Sequence, residues 1–266
     1  MTPPGKLHTL KVEAPEPGLW IVSFNRPEVR NALNTATSED LRDLFGPLAF
    51  TPGELRCIVL TGAGDKAFSA GGDLKERDGM TDDAWRLQHA IIEEGIYSII
   101  NCAVPVIAAV NGIAFGGGCE IALCCDFIYA SSTALFSQPE VTRGIMPGAG
   151  GTQNLPRAVG ERRAKELILA GKPFTAREAY DWGMINLVCE PNELMPKALE
   201  TARAIAANAP IAVRQAKKAI HQGLQTDLTS GLLIEVQAYE RMIATEDRYE
   251  GIRAFNEKRK PQFKGR

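Results

Sequence analysis

The chain has 266 residues, of which 30 are lysine or arginine and 32 are aspartate or glutamate, so its formal net charge is −2. Hydrophobic residues make up 45% and charged residues 23%, which is ordinary for a globular protein and excludes an intrinsically disordered chain. The near-neutral balance gives no electrostatic reason to expect a nucleic acid or an anionic membrane as the main partner.

The predicted elements alternate between strands and helices up to about residue 190. Apolar runs predict strands, and apolar residues spaced by three or four predict helices. Strands are expected at 19–24, 56–60, 104–110, 127–130 and 187–189, and helices at 37–45, 81–101 and 119–125. Thr37 is the expected N-cap of the first helix, and Thr175 with Glu178 forms a capping box. The alternation predicts βαβ units, and hence an α/β fold with a mostly parallel sheet.

Only helical periodicity is found from residue 193 onward. Helices are expected at 193–208, 210–224 and 229–244, followed by a basic tail. We therefore expect an α/β core over residues 1–192 and a C-terminal helical region over residues 193–266. The apolar stripes of these helices, such as Val213/Ile220/Leu224 and Leu232/Val236/Tyr239, need a surface to bury against.

The cysteine and histidine content gives no sign of a metal site. Six cysteines occur without a C-x-x-C pair, and there are only three histidines. We interpret the cysteines as buried thiols in a reducing compartment. The first six residues show no targeting pattern, and no window reaches the roughly 18 apolar residues of a membrane span, so a cytoplasmic location is expected.

Glycine-rich segments are the first candidates for chemistry. The spacing Gly62-x-Gly64-x-x-Ala67 resembles a dinucleotide fingerprint, but the residues after it are unsuited to opening a helix, which disfavours nicotinamide binding. Ser69 lies in a sequence one glycine short of a nucleophile elbow, so a turn residue is the simpler interpretation and a serine hydrolase the alternative. Residues 116–118 are three glycines leading into an apolar helix. Their amides suit an oxyanion, although close helix–sheet packing would explain them equally well.

Two glutamates strengthen the case for a site. Glu120 lies in the first turn of an otherwise apolar helix, where an ionised side chain is normally excluded unless it has a task. Glu140 follows a strand and a proline turn twenty residues later. Two carboxylates beside an oxyanion site can divide the roles of general acid and general base. A glycosidase would also use such a pair, but the chain offers little of the aromatic platform expected for a sugar.

Several ordered motifs resemble those of the crotonase (enoyl-CoA hydratase/isomerase) superfamily over essentially the whole chain. They are Asn25-Arg-Pro with Asn31-Ala-Leu-Asn34, Ala67-Phe-Ser-Ala-Gly-Gly-Asp-Leu-Lys75, the stretch 109–120, Phe136-Ser-Gln-Pro-Glu140, the stretch 144–152 and Phe255-x-Glu-Lys-Arg259. The resemblance implies a ββα spiral core with a C-terminal all-helical trimerisation region. It also implies an acyl-CoA substrate, a trimer or a dimer of trimers, and no cofactor besides the coenzyme A that the substrate carries.

The resemblance assigns catalytic roles to individual residues. The backbone amides of Gly72 and Gly117 would form an oxyanion hole for the thioester carbonyl. Gly72 stands where alanine is frequent, but the amide is still supplied. Glu120 would activate the water, Glu140 would deliver or remove the C2 proton, and the backbone at Gly148 would help to hold the reacting water.

Other residues are implied in substrate binding. The carbonyl of Ala70 would accept a hydrogen bond from the adenine amino group, and Asp73 follows the oxyanion loop. Three cations are candidates for the coenzyme A phosphates: Arg30, Lys75 and Lys258. Lys258 belongs to a basic tail that would reach a nucleotide, in some relatives across a subunit boundary.

The presence of both glutamates favours an enoyl-CoA hydratase, which adds water reversibly and syn across the C2=C3 bond to give a 3-hydroxyacyl-CoA. The alternatives are another crotonase reaction (a carnitinyl-type dehydratase, a hydratase-lyase or an enoyl-CoA isomerase) and a non-catalytic, RNA-contacting protein on the same scaffold. Acyl specificity is expected to reside between residues 74 and 100. Met80 and Trp85 are candidate pocket-wall residues there, with ordinary packing as the simpler interpretation.

Overall fold

The computed structural model describes residues 7–266, in which ten strands form two sheets. The first six residues, on which the expectation about targeting rests, lie outside this part. The strands are β1 (Leu10–Glu16), β2 (Leu19–Phe24), β3 (Cys57–Gly62), β4 (Ala67–Ser69), β5 (Val106–Val110), β6 (Ile113–Phe115), β7 (Phe127–Ser131), β8 (Leu135–Ser137), β9 (Phe174–Thr175) and β10 (Leu187–Cys189).

Eleven α-helices accompany these strands within residues 7–266. They are α1 (Thr35–Phe45), α2 (Leu74–Arg77), α3 (Asp82–Ile100), α4 (Gly117–Cys124), α5 (Gly151–Val159), α6 (Glu161–Ala170), α7 (Ala176–Asp181), α8 (Leu194–Ala206), α9 (Pro210–Gly223), α10 (Leu228–Ile243) and α11 (Glu246–Asn256). Short 3-10 turns cover Pro27–Val29, Gly46–Ala49 and Glu140–Arg143.

The two sheets are wound together by consecutive strands. The large sheet has the order β1-β2-β3-β5-β7-β10, with all pairs parallel except β1 with β2. The small sheet has the order β4-β6-β8-β9, and its first three strands are parallel. The chain passes from the large to the small sheet three times in succession: β3 to β4, β5 to β6, and β7 to β8. This repeat is the expected ββα spiral.

The hydrophobic pattern accounts for the burial of these elements. β3 and β5 are buried along their whole length, as their continuous apolar runs predict for central parallel strands. The predicted capping box is present at Thr175 and Glu178. The N-cap of α1 is Asn34 and not Thr37, because the Asn34 side chain accepts a hydrogen bond from the Thr37 amide. α4 begins at Gly117, two residues before the predicted start.

The C-terminal helices fall into two groups. Leu194, Ala198 and Ala202 of α8 pack against the large sheet in a second apolar cluster with residues such as Val59 and Ile107. α9 and α10 pack mainly against each other. The sequence patterns do not predict the helices α2, α5, α6 and α11 or the strands β1, β4, β6 and β9. The division of the chain at residues 192 and 193 stays a prediction.

Two further expectations bear on cell compartment. All six cysteines are unpaired, and four of them are buried. None of the helices within residues 7–266 combines the length and the hydropathy that a membrane crossing requires. The cytoplasmic location itself stays a prediction.

Candidate active site

The candidate site lies where three strands of the small sheet end. β4, β6 and β8 are parallel neighbours, so their carboxyl ends meet at one edge of the sheet. The loop 70–73 leaves β4, the turn at Gly116 leaves β6 and opens α4, and Glu140 follows β8. The Gly116 amide donates to the Ser137 carbonyl at 2.9 Å and joins two of these ends. The spiral therefore brings together residues that are up to seventy positions apart.

Two backbone amides, those of Gly72 and Gly117, face this edge without a backbone partner among residues 7–266. Leu33 donates to the carbonyl of Gly71 and accepts from the amide of Asp73, which makes a parallel bridge and turns the Gly72 amide to the opposite side. Gly117 is the first residue of α4, so its amide has no acceptor within the helix. Such amides are suited to charge that develops on an oxygen during a reaction.

The glycines on either side explain how these amides come close. Gly71 has a φ of 87°, a left-handed conformation that favours glycine. A Cβ at Gly118 would collide with the Ser69 carbonyl oxygen. Both explanations of the glycine run therefore apply: Gly118 permits close packing of α4 on β4, and Gly117 presents its amide.

Glu120 is buried in the first turn of α4, as expected. Its Oε1 accepts hydrogen bonds from the amides of Ala149 and Gly151, both at 2.8 Å. Burial raises the pKa of Glu120, while these two amide bonds oppose the rise by stabilising the carboxylate. The other oxygen, Oε2, accepts no hydrogen bond from any residue in 7–266, so it is available to a ligand.

The carboxyl group of Glu140 has fewer hydrogen-bond partners among residues 7–266 than that of Glu120. Its Oε2 is buried without a hydrogen-bond partner among the described residues, and the side chain is only 9% exposed. Burial raises the pKa of Glu140 to about 7, and the nearby charge of Glu120 adds to the rise. The environments of the two glutamates therefore differ, which is the arrangement that separates an acid from a base.

A cavity of about 650 Å³ opens beside these groups, a volume typical of small-molecule sites. Six of the ten predicted site residues line it: Ala70, Gly72, Gly117, Glu120, Glu140 and Gly148. The structure thus gathers the predicted oxyanion amides, both glutamates and the predicted water-holding glycine around one space.

The profile of the enoyl-CoA hydratase/isomerase family matches residues 15–266. The chain belongs to this family. It is 44% identical over 248 residues to the short-chain-enoyl-CoA hydratase of Clostridium acetobutylicum, covering 92% of this chain and 94% of that one. It is 42% identical over 248 residues to the crotonyl-CoA hydratase of Syntrophomonas wolfei, covering 93% and 95%.

Solved structures agree with the family assignment. A crystal structure of enoyl-CoA hydratase from Bacillus anthracis is 45% identical and superimposes with a TM-score of 0.94, covering 97% of this chain and all of that one. The predicted crotonase-like α/β fold is therefore confirmed. The roles that the family resemblance gives to single residues stay predictions.

Four predicted binding residues do not line the cavity. The Asp73 carboxylate pairs with Arg26 at 2.9 Å and caps α2 by accepting from the Lys75 amide, so it is engaged in holding the loop. Arg30 and Lys75 adjoin this loop, and the Arg30 carbonyl accepts from the Ala70 amide at 3.0 Å. Lys258 follows α11 with a φ of 54°.

Ser69 is placed differently from either sequence interpretation. It lies at the end of β4, fully buried, and its hydroxyl donates to the Asn31 carbonyl at 2.8 Å. Its Oγ also accepts from the Gly71 amide at 3.2 Å. It is a structural strand residue and no exposed nucleophile. Of the two candidate pocket-wall residues, Trp85 lines the cavity, and Met80 does not.

Three residues of the site were missed by sequence reasoning. His89 packs on Gly148 so closely that a Cβ there would lie 2.6 Å from its ring. Gln138 is fully buried, and both its side-chain polar atoms lack a hydrogen-bond partner among residues 7–266. Arg77 lines the cavity from α2. The sequence signals for them are indirect: His89 and Arg77 fall within the stretch 74–100, and Gln138 falls within the motif that ends at Glu140.

Proposed function

We propose that this chain is an enoyl-CoA hydratase that adds water reversibly and syn across the C2=C3 bond of a 2-enoyl-CoA thioester. The observation that carries the proposal is the meeting of two buried glutamates and two free amides around one cavity. The similarity to the two hydratases from Clostridium and Syntrophomonas supports the same reaction class.

The two amides would act on the thioester carbonyl. A carbonyl oxygen held by Gly72 and Gly117 is polarised, and conjugation passes the electron demand to C3. The negative charge that forms on the oxygen after water adds would be stabilised by amides that are already oriented. Removing one such donor typically costs about 2.7–4 kcal/mol in the barrier.

The two glutamates would share the proton transfers. Glu120 Oε2 would accept a proton from the water that attacks C3, while its Oε1 is fixed by two amides. The raised pKa of Glu140, about 7, leaves a large protonated fraction near neutral pH, so it would donate the proton that C2 acquires. In dehydration the same groups would work in reverse.

The remaining predicted residues would bind the rest of the substrate. The backbone at Gly148 would help to hold the water, and the Ala70 carbonyl would accept from the adenine amino group. Arg30, Lys75 and Lys258 would meet the phosphates, and Asp73 would contribute by holding the loop. The reaction needs only polarisation and proton transfer, so we propose no cofactor beyond the coenzyme A of the substrate.

The C-terminal helices would assemble the chain into a trimer or a dimer of trimers. Large apolar side chains are more than half exposed along α9 to α11, among them Ile220, Leu224, Leu232, Val236 and Tyr239. An exposed patch of this extent marks an interaction surface. A second copy of this chain is the proposed occupant, and the cytoplasm is the proposed location.

The experiment is the loss of enoyl absorbance when the purified protein meets crotonyl-CoA, with Glu140→Gln as the variant. We expect fast loss in the wild type and at least a ~100-fold reduction in the variant, as for a general acid–base. A rate that the variant leaves unchanged would contradict the role of Glu140. An absence of turnover would favour another crotonase reaction or a non-catalytic role.

A further inference from the structure

One face of α3 forms part of the wall of the cavity. Trp85, His89 and Ile92 all line this space, and their spacing of four and three residues places them on the same side of the helix. Ile92 is buried in the hydrophobic core, whereas Trp85 and His89 are half-buried. The wall that α3 contributes therefore has an imidazole between an indole and a branched alkyl group.

The imidazole of His89 contacts the loop that holds Glu120. A Cβ on Gly148 would lie 2.6 Å from Cε1 and 3.1 Å from Nε2 of His89, so the ring lies directly against the Gly148 backbone. One residue further along the loop, the Ala149 amide donates to Glu120 Oε1 at 2.8 Å. His89 therefore lies beside the loop that fixes the carboxylate proposed to activate the water.

A second polar group stands next to this imidazole. Glu93 follows His89 by one helical turn, and its Oε1 lies 3.4 Å from Nε2 of His89. Both residues line the cavity. An alkyl chain that covered these two groups would remove them from water without offering a hydrogen bond in return, which is unfavourable. The wall is therefore polar at the point where α3 meets Gly148.

The helix behind His89 is fixed on α1. The buried side chain of Gln88 donates to Thr35 Oγ1 at 2.9 Å. One turn beyond His89, a Cβ on Gly95 would lie 2.6 Å from the Ser38 carbonyl oxygen, so the two helix backbones are in close contact there. A close-packed contact of this kind cannot be compressed further. His89 therefore cannot move away from the cavity by a shift of α3 towards α1.

The proposed reaction places the acyl group against this wall. Water held by Glu120 Oε2 attacks C3, so C3 lies within roughly 6 Å of that oxygen, the length of one hydrogen bond and one attack distance. C4 follows C3 by a single bond. The first carbons beyond the reacting pair therefore come next to Gly148 and to the ring of His89.

We propose that His89 closes the acyl end of the cavity and is the residue that restricts this enzyme to short 2-enoyl groups. This inference rests on the proposed hydratase function and specifies its substrate class. The ring blocks the path of an alkyl chain beyond its first carbons, and Glu93 beside it offers that chain no apolar surface. Removing the imidazole opens space next to Gly148 without altering the two catalytic glutamates.

The test compares three substrates that differ only in chain length: crotonyl-CoA, 2-hexenoyl-CoA and 2-decenoyl-CoA. We expect the kcat/KM of the wild type to be at least about 100-fold lower for the decenoyl than for the crotonyl thioester, with the hexenoyl thioester between them. In His89→Ala we expect the ratio of the decenoyl to the crotonyl value to rise at least about tenfold. The ratio is the measured quantity because a general loss of activity cancels in it.

Two further variants separate the bulk of the ring from other effects. His89→Phe keeps a ring in this position, and we expect it to exclude the decenoyl group as the wild type does. His8→Ala makes the same change as His89→Ala at an exposed histidine before β1, and it should leave the ratio as in the wild type. The proposal is overturned by a wild type that accepts both thioesters equally, by an unchanged ratio in His89→Ala, or by a His89→Phe ratio as high as that of His89→Ala.

A binding measurement distinguishes failure of this inference from failure of the proposed function. Calorimetry with the saturated butanoyl-CoA and decanoyl-CoA needs no turnover. An affinity for decanoyl-CoA, relative to butanoyl-CoA, that rises at least about tenfold in His89→Ala supports the closed acyl end even if no substrate is hydrated, in which case the hydratase function alone fails. Hydration of crotonyl-CoA together with a relative affinity that His89→Ala leaves unchanged overturns the closed acyl end alone.

Discussion

Replacing Glu140 by glutamine should stabilise the folded protein at high pH. Glutamine keeps the shape of the side chain and resembles the protonated acid, but it cannot ionise. In the wild type, the carboxylate form has a buried Oε2 without a hydrogen-bond partner among residues 7–266. The variant therefore removes the free-energy cost of holding a charge in this position.

The magnitude follows from the pKa. Burial raises the pKa of Glu140 from 4.5 to about 7, so the folded state keeps this proton more firmly than the unfolded chain. The associated stability is complete below pH 4.5 and is lost as the pH rises through about 7. At about 1.36 kcal/mol for each pKa unit, the full loss is about 3 kcal/mol. Because the site can admit water when the group ionises, we expect a measured gain of about 1–3 kcal/mol for Glu140→Gln at pH 9.

The assay is urea unfolding followed by tryptophan fluorescence at several pH values between 5 and 9. Protein concentration is kept constant because assembly would add to the apparent stability. The difference in unfolding free energy between Glu140→Gln and the wild type should be small at pH 5 and should grow towards pH 9. Glu39→Gln, an exposed site on α1, is the matched control and should show no such trend. A difference in unfolding free energy between Glu140→Gln and wild type that stays constant from pH 5 to pH 9 would show that ionisation of Glu140 does not destabilise the fold.

Two further outcomes are expected. Gly117→Pro should lower kcat on crotonyl-CoA by at least about 100-fold relative to Gly117→Ala, because proline removes the amide hydrogen and is tolerated at the first helical position. Both variants add a Cβ that lies 3.0 Å from Leu33 Cδ1, so the alanine variant controls for that contact, and equal activity of the two would contradict the oxyanion role. Light scattering after gel filtration should give a particle of three or six times 28.8 kDa, and a monomer across the concentration range would rule out the proposed assembly.

Much of the fold is predictable because long apolar segments show a clear pattern in the sequence. β3 and β5 are continuous apolar runs typical of buried strands, and α3 shows isoleucines at helical spacing in its C-terminal half, from Ile92 to Ile100. Three-residue strands such as β4 and β6 have too few positions to show a period. The sequence predicts Thr37 as the cap in place of Asn34 because both are good capping residues, and only the backbone geometry distinguishes them.

The site also has features that the sequence predicts and features that it does not. Charge within an apolar segment and small residues before a helix are local properties, so the chain's own pattern indicates that Glu120 and Glu140 stand in apolar surroundings and that glycines precede α4. The meeting of the β4, β6 and β8 ends depends on the winding of the spiral, so it becomes visible only in the folded chain. The engagement of the Asp73 carboxylate by Arg26, and of the Arg77 guanidinium by Gln88 and Trp85, is likewise set by the fold, because a side chain's neighbours come from elements distant in the chain.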